Sequence, residues 1–142
     1  MKKLILLVFL FFIAIQAHGY EANVIRVIDG DTIEVSVLVW PDLHVTTRLR
    51  LNGVNTPETR TRSKCEKEAG LRAKELTTKF VYQNEGEIEV AEVTPGKYAR
   101  RILGLLYVDG ISLSHVLLRA NLAKPYSGGK REPWCVDSVE PQ

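Results

Sequence analysis

The chain has 142 residues, room for one domain. Its 19 basic and 17 acidic side chains give a formal net charge of +2, and Lys2 and Lys3 supply that excess. Bulk charge therefore gives no argument for binding to nucleic acid, and any such contact must come from local clusters.

Met1-Lys-Lys is followed by an unbroken apolar run from Leu4 to Ile15 and then by Gln16-Ala-His-Gly19. Two cations, a short apolar run and the small residues Ala17 and Gly19 predict an export signal over 1–19. The run falls short of the roughly 18 apolar residues of a bilayer span. The mature protein is expected to be periplasmic or secreted, without stable membrane association. Its domain is expected over 20–126, with an irregular tail over 127–142.

An exported chain with an even number of cysteines favours a disulfide, and Cys65 with Cys135 is the one intramolecular pairing. Closing so long a loop contributes on the order of 4 kcal/mol in chain-entropy terms. A zinc site is disfavoured, because there is no CxxC.

Ala22 to Ile28 and Thr32 to Val39 read as strands rich in Val and Ile, joined by a turn at Asp29-Gly-Asp31. Trp40 to His44 reads as a loop, since Pro41 and Asp42 form turns. Val45 to Asn52 alternates as a third strand. Ser63 to Tyr82 reads as a helix with Ala69, Ala73, Leu76 and Phe80 on one face, and Ser63 with Glu66 has the form of a capping box. Glu87 to Val93 is a fourth strand, broken by Thr94-Pro-Gly96. Arg101 to Val108 is a fifth, turned at Asp109-Gly110. Ser112 to Ala120 is a second helix with Asn121 at its C-terminal cap. Periodicity alone indicates a small α+β barrel.

Two segments carry chemistry. Val27-Ile-Asp-Gly-Asp-Thr-Ile33 presents carboxylates at a turn, and Arg50-Leu-Asn-Gly-Val-Asn-Thr-Pro-Glu58 runs a strand into a proline-limited loop. Together they offer carboxylate, amide and carbonyl oxygens beside a guanidinium, a set suited to a hard cation and a phosphodiester. Alone, Asp29-Gly-Asp31 would be an ordinary hairpin turn. A third segment, Lys97-Tyr-Ala-Arg-Arg101, adds cations before the fifth strand.

In this order and spacing, from about Glu21 to Tyr126, the segments resemble the staphylococcal nuclease (thermonuclease) family. The resemblance implies a five-stranded OB-type Greek-key β-barrel with two to three helices. It implies a calcium-dependent nuclease acting on DNA and RNA with little sequence preference, favouring single-stranded or frayed substrate and leaving 3′-phosphate ends. Asp31, Asn55 and the Thr56 carbonyl would hold calcium, with Asp29 supporting the ion through water. Position 55 is Asp in the staphylococcal enzyme, so Asn55 removes one charge and weaker metal binding is expected. Arg50 and an arginine of the third segment would grip phosphate, and Glu58 would act as base on water. Lys97 and Tyr98 would contact a terminal phosphate, and Tyr126 would stack on a base, unless it simply packs under the tail.

Counting from Tyr98 in the staphylococcal pattern points to Arg100. Counting back from Asp109-Gly110 points to Arg101, as in exported relatives with one extra residue after the tyrosine. Neighbouring strand residues face opposite sides, so one of the two is selected, and Arg101 is preferred. His44 and His115 belong to no metal or triad pattern. A monomer is expected. The rival reading is a non-catalytic OB-fold module binding single-stranded nucleic acid. Such modules usually sit in larger intracellular chains and have lost residues that are retained here.

Overall fold

A computed structural model describes residues 19–135. The expected export signal, except for Gly19, and the tail beyond Cys135 lie outside the described residues. The barrel begins as a meander of β1 (Tyr20–Asp29), β2 (Thr32–Trp40) and β3 (Leu43–Leu51). Alternation decides which side chains turn inward. Ile33, Val35 and Val37 of β2 and Leu49 and Leu51 of β3 are buried, whereas Glu34, Arg48 and Arg50 lie on the other face. The chain then passes through β4 (Val54–Asn55), α1 (Lys64–Gln83), β5 (Ile88–Pro95), β6 (Arg101–Val108), β7 (Ile111–Ser112), α2 (Leu113–Arg119) and β8 (Lys124–Pro125).

Strand β5 pairs antiparallel with β1 and with β6. Strand β6 then runs parallel to β3 and closes the ring, with Arg48 opposite Arg101 and Arg50 opposite Leu103. The result is a five-stranded mixed barrel with two helices, an α+β fold consistent with the OB class. Val90, Leu106 and Val108 fill it from β5 and β6, and Leu113 and Leu117 cap it from α2.

Several boundaries differ from those read in the sequence. The loop expected over Trp40 to His44 is a hairpin whose turn is Pro41–Asp42, with Asp42 at φ 63°. Strand β5 continues through Thr94 to Pro95. A bulge between Ala91 and Thr94, with Glu92 at φ 52°, absorbs the irregularity, and Pro95 stands at the strand end where a missing donor is tolerated. Helix α2 ends one residue sooner than expected, with Ala120 at the cap and Asn121 beyond it at φ 56°. The Asn121 N–H donates to the Leu118 carbonyl and the Leu122 N–H to the Leu117 carbonyl, a Schellman motif. The short ladder of β4 with β8 has no sequence signature.

Helix α1 braces the loops that will carry the site. The Ser63 hydroxyl caps it by accepting the Glu66 N–H at 3.3 Å. Gly70 lets the helix approach the Pro57–Glu58 backbone. A Cβ there would lie 2.7 Å from the Glu58 carbonyl oxygen and 2.8 Å from that of Pro57. The disulfide Cys65–Cys135 joins the first turn of α1 to the end of the described chain, with Cα atoms 6.3 Å apart. Helix propensity favours Gly70→Ala by about 1 kcal/mol, and overpacking typically costs about 1–3 kcal/mol. Because the obstructing atoms are backbone, a net loss of about 1–2 kcal/mol in urea unfolding is expected. A gain in stability would show that the helix is free to retreat.

Candidate active site

Asp31 sits in the turn from β1 to β2 and is 5% exposed. Gly30 precedes it because the turn presses on α1. A Cβ at Gly30 would lie 2.7 Å from the Ala73 Cβ, and the Thr77 hydroxyl donates to the Gly30 carbonyl at 2.7 Å. The Asp31 carboxylate is met from three sides. Oδ2 accepts the Thr56 N–H at 2.7 Å and lies 2.9 Å from Arg50 Nη1, while Oδ1 accepts the Thr32 hydroxyl at 3.1 Å.

Arg50 is almost as enclosed. Its Nη1 also donates to the carbonyls of Leu51 and Val54, and its Nη2 donates to Asn55 Oδ1 at 3.1 Å. Burial pushes the Arg50 pKa down. The Asp31 charge opposes that fall, whereas Arg131 and Arg101 add to it. One guanidinium thus ties the end of β3 to β4 and to the β1–β2 turn.

Above this pair opens a cleft of about 280 Å³. Asp29, Asp31 and Glu58 line it together with five arginines at 48, 50, 60, 101 and 131. The parallel register of β3 and β6 explains part of the cluster, because it sets Arg101 beside Arg48 on the face that Arg50 shares. Arg100 does not line this cleft. It stands at φ 58°, its carbonyl accepts the Arg48 N–H at 3.1 Å, and it lines a neighbouring hollow with Glu34, Thr46 and Arg48.

Glu58 stands at the cleft with its side chain 42% exposed. Its N–H donates to the Glu66 carboxylate at 3.2 Å. Glu66 therefore does not complete the capping box read in the sequence. Its carboxylate turns from the Ser63 N–H to Glu58 and to the Thr61 hydroxyl. Asp29 accepts a hydrogen bond from the Thr59 hydroxyl, which holds the loop after Pro57 to the β1–β2 turn.

The other expected contacts lie outside the cleft. Tyr98 is exposed in the loop before β6, 5.5 Å from the Arg101 guanidinium, and Lys97 is beside it. Asn55 and Tyr126 border a different hollow with Lys124 and Lys130. The Tyr126 hydroxyl donates to the Gly129 carbonyl at 2.8 Å, which ties the side chain to the tail. Arg131 was not foreseen. It comes from that tail and forms an ion pair with Glu58. The Cys65–Cys135 pairing is the signal that could have found it, since it returns the tail to the helix beside Glu58.

The staphylococcal nuclease homologue family model matches residues 48–135. The chain belongs to that family. Endonuclease YncB of Bacillus subtilis (strain 168) is 32% identical over 99 residues, covering 70% of this chain and 44% of that protein. The chain thus spans less than half the length of that relative. The family match runs through Arg131 to Cys135, so the tail belongs to the matched region.

A cation is the group that the family implies. Among the described residues, no three of His, Cys, Asp and Glu gather as a ready-made metal site. The donors that are present are nonetheless of the right kind. The Asp29 and Asp31 carboxylates both line the cleft, without sulfur or imidazole, and a hard cation takes carboxylate, carbonyl and water oxygens. Thr56 lies against Asp31, to which it turns its N–H. Asn55 borders the other hollow rather than this cleft, and its side-chain oxygen accepts from Arg50.

The Asp31–Arg50 pair is buried, so removing one partner strands the other. Asp31→Ala is expected to lower stability by about 3–5 kcal/mol, measured by equilibrium unfolding in urea. A loss below 1 kcal/mol would mean that water already reaches the pair.

Proposed function

We propose that this chain is an exported, calcium-dependent nuclease, monomeric, that hydrolyses DNA and RNA phosphodiesters with little sequence preference. The observation that supports this best is the placement of Glu58 beside arginines in a cleft floored by Asp31 and Arg50. A phosphodiester resists attack because its charge repels nucleophiles. Catalysis requires that charge to be neutralised where it grows, and a water to be deprotonated in line with the leaving oxygen.

Each demand has a residue. Arg101 offers paired N–H donors to the phosphate oxygens from the cleft wall. Arg50 is fixed by Asp31, Asn55 and two carbonyls, so its charge faces the phosphate without reorganising. Glu58 accepts the proton of the attacking water. Water oxygen bonds to phosphorus, the bond to the 5′ oxygen breaks, and that oxygen leaves protonated by solvent, giving a 3′-phosphate. Calcium held by Asp31 and the Thr56 carbonyl would supply a Lewis acid toward the phosphate. Lys97 and Tyr98, next to Arg101, would receive a terminal phosphate. Tyr126, beside Arg131 at the tail, would offer a stacking surface to a base. Export is supported by the formed disulfide and the N-terminal sequence pattern.

The division of labour is testable with labelled single-stranded DNA. Glu58→Gln is expected to lower turnover by about 10²–10⁴-fold while largely sparing binding. Arg101→Lys keeps charge but loses the fork, and is expected to lower turnover markedly, whereas Arg100→Lys is expected to be mild. The reverse order for the two arginines would move the phosphate contact to Arg100. Full activity in Glu58→Gln would end the assignment of Glu58 as base.

Asn55→Asp is expected to tighten calcium binding in calorimetry by adding a charge beside the donors. Unchanged or weaker affinity would assign residue 55 to Arg50 alone.

A further inference from the structure

Arg131 reaches the cleft on an arm that closes no strand of the barrel. The arm leaves at β8, where Lys124 and Pro125 pair with Asn55 and Val54, and the Tyr126 N–H donates to the Gly53 carbonyl at 2.9 Å. Gly128 and Gly129 then turn it at φ 104° and 88°, values that suit glycine. Lys124 holds the returning limb from below. Its ammonium donates to the Pro133 carbonyl at 3.2 Å and lies 4.8 Å from the centre of the Trp134 ring. Cys135 then fastens the arm covalently to Cys65 on α1. The arm is thus anchored at both ends, and Arg131 lies between the anchors.

The side chains of Arg131 and Glu58 are each close to half exposed, and such pairs add little to stability. The crosslink stabilises the fold by closing a long loop, but that does not account for a guanidinium placed at Glu58. What the arm does fix is a guanidinium in the cleft, beside the carboxylate read as the base. Burial weighs against the charge of Arg131, but hydrogen bonding and charge from Glu58 outweigh it, with Tyr126 and Asp31 adding to the rise.

Resting on the nuclease reading, we propose that Arg131 is a substrate-binding residue. The disulfide-closed arm holds it over Glu58, and it exchanges that carboxylate for a phosphodiester oxygen of the bound strand. A phosphodiester accepts the same forked donors, so the exchange keeps Arg131 paired. It also frees Glu58 to take a proton. The resting pair keeps two opposite charges ready, and the arriving phosphate separates their tasks.

The test uses the oxidised full chain and a fluorescent oligothymidine, with binding read by anisotropy in chelator across a salt series and hydrolysis read with calcium. Arg131→Ala is expected to weaken binding by about 10- to 100-fold. It is also expected to flatten the slope of log affinity against log salt by about 0.7, the value for one phosphate contact on a single strand. Lys79→Ala, on the outer face of α1, is expected to change neither. Reducing the disulfide with a dithiol is expected to lower wild-type kcat/KM about as much as Arg131→Ala does, and to add little in the variant, because both remove the same contact.

Wild-type binding and salt slope in Arg131→Ala would overturn the proposal. So would reduction that impairs the variant as much as the wild type. If the wild type cuts no strand, the nuclease reading fails, and the binding series still decides Arg131.

Discussion

The buried pair of Asp31 and Arg50 is the constraint on which the site depends. Each charge would be costly in the barrel wall alone, and each is accepted because the other faces it at 2.9 Å. The remaining hydrogen-bonding capacity is used on backbone and side chains: the Thr56 N–H and the Thr32 hydroxyl donate to the carboxylate, and the carbonyls of Leu51 and Val54 and the Asn55 side-chain oxygen accept from the guanidinium. The β1–β2 turn and the end of β3 with β4, distant in sequence, are thereby held in one geometry, and Glu58 follows three residues after Asn55. Helix α1 completes the hold. It supports the Gly30 turn through Ala73 and Thr77, and the Glu58 backbone through Gly70 and Glu66.

The second theme is the concentration of charge. A nearly neutral chain places five arginines around one cleft, so its attraction for polyanions is local rather than global. The register of the barrel produces this. Closing β3 against β6 in parallel brings Arg48 beside Arg101, and alternation keeps Arg50 on the same face. Glu34 offsets Arg48 and Arg26 on the outer side, where the Glu34 side chain pairs with Arg26 at 2.7 Å. Inside the cleft the balancing carboxylates are Asp29, Asp31 and Glu58.

Much of this was legible in the sequence, for physical reasons. Strands with a two-residue alternation and a helix with an apolar stripe declare themselves locally, so the five barrel strands and both helices were found. Boundaries failed where a local signal misled. Pro41 and Asp42 suggested a loop, but two residues suffice for the turn. Pro95 suggested a break, but a bulge let the strand run on. At the site, the order of the Asp31, Arg50 and Glu58 segments was readable because each lies in a turn or strand end of marked composition. Arg131 was not, since the tail has no periodicity and its position is set by a crosslink and by the clasp of Lys124. The hydrogen bond of Asn55 with Arg50, outside the cleft, likewise depends on a side-chain direction that no spacing reveals.

Both the catalytic and the binding-only readings need arginines near phosphate, and they part at bond cleavage. The most direct measurement is the digestion of single-stranded DNA by the purified, oxidised protein, with calcium, with chelator, and with calcium restored. The account predicts short fragments ending in 3′-phosphate with calcium, intact strand in chelator, and recovery on restoration. A folded protein that binds the strand and leaves it whole in calcium would contradict it.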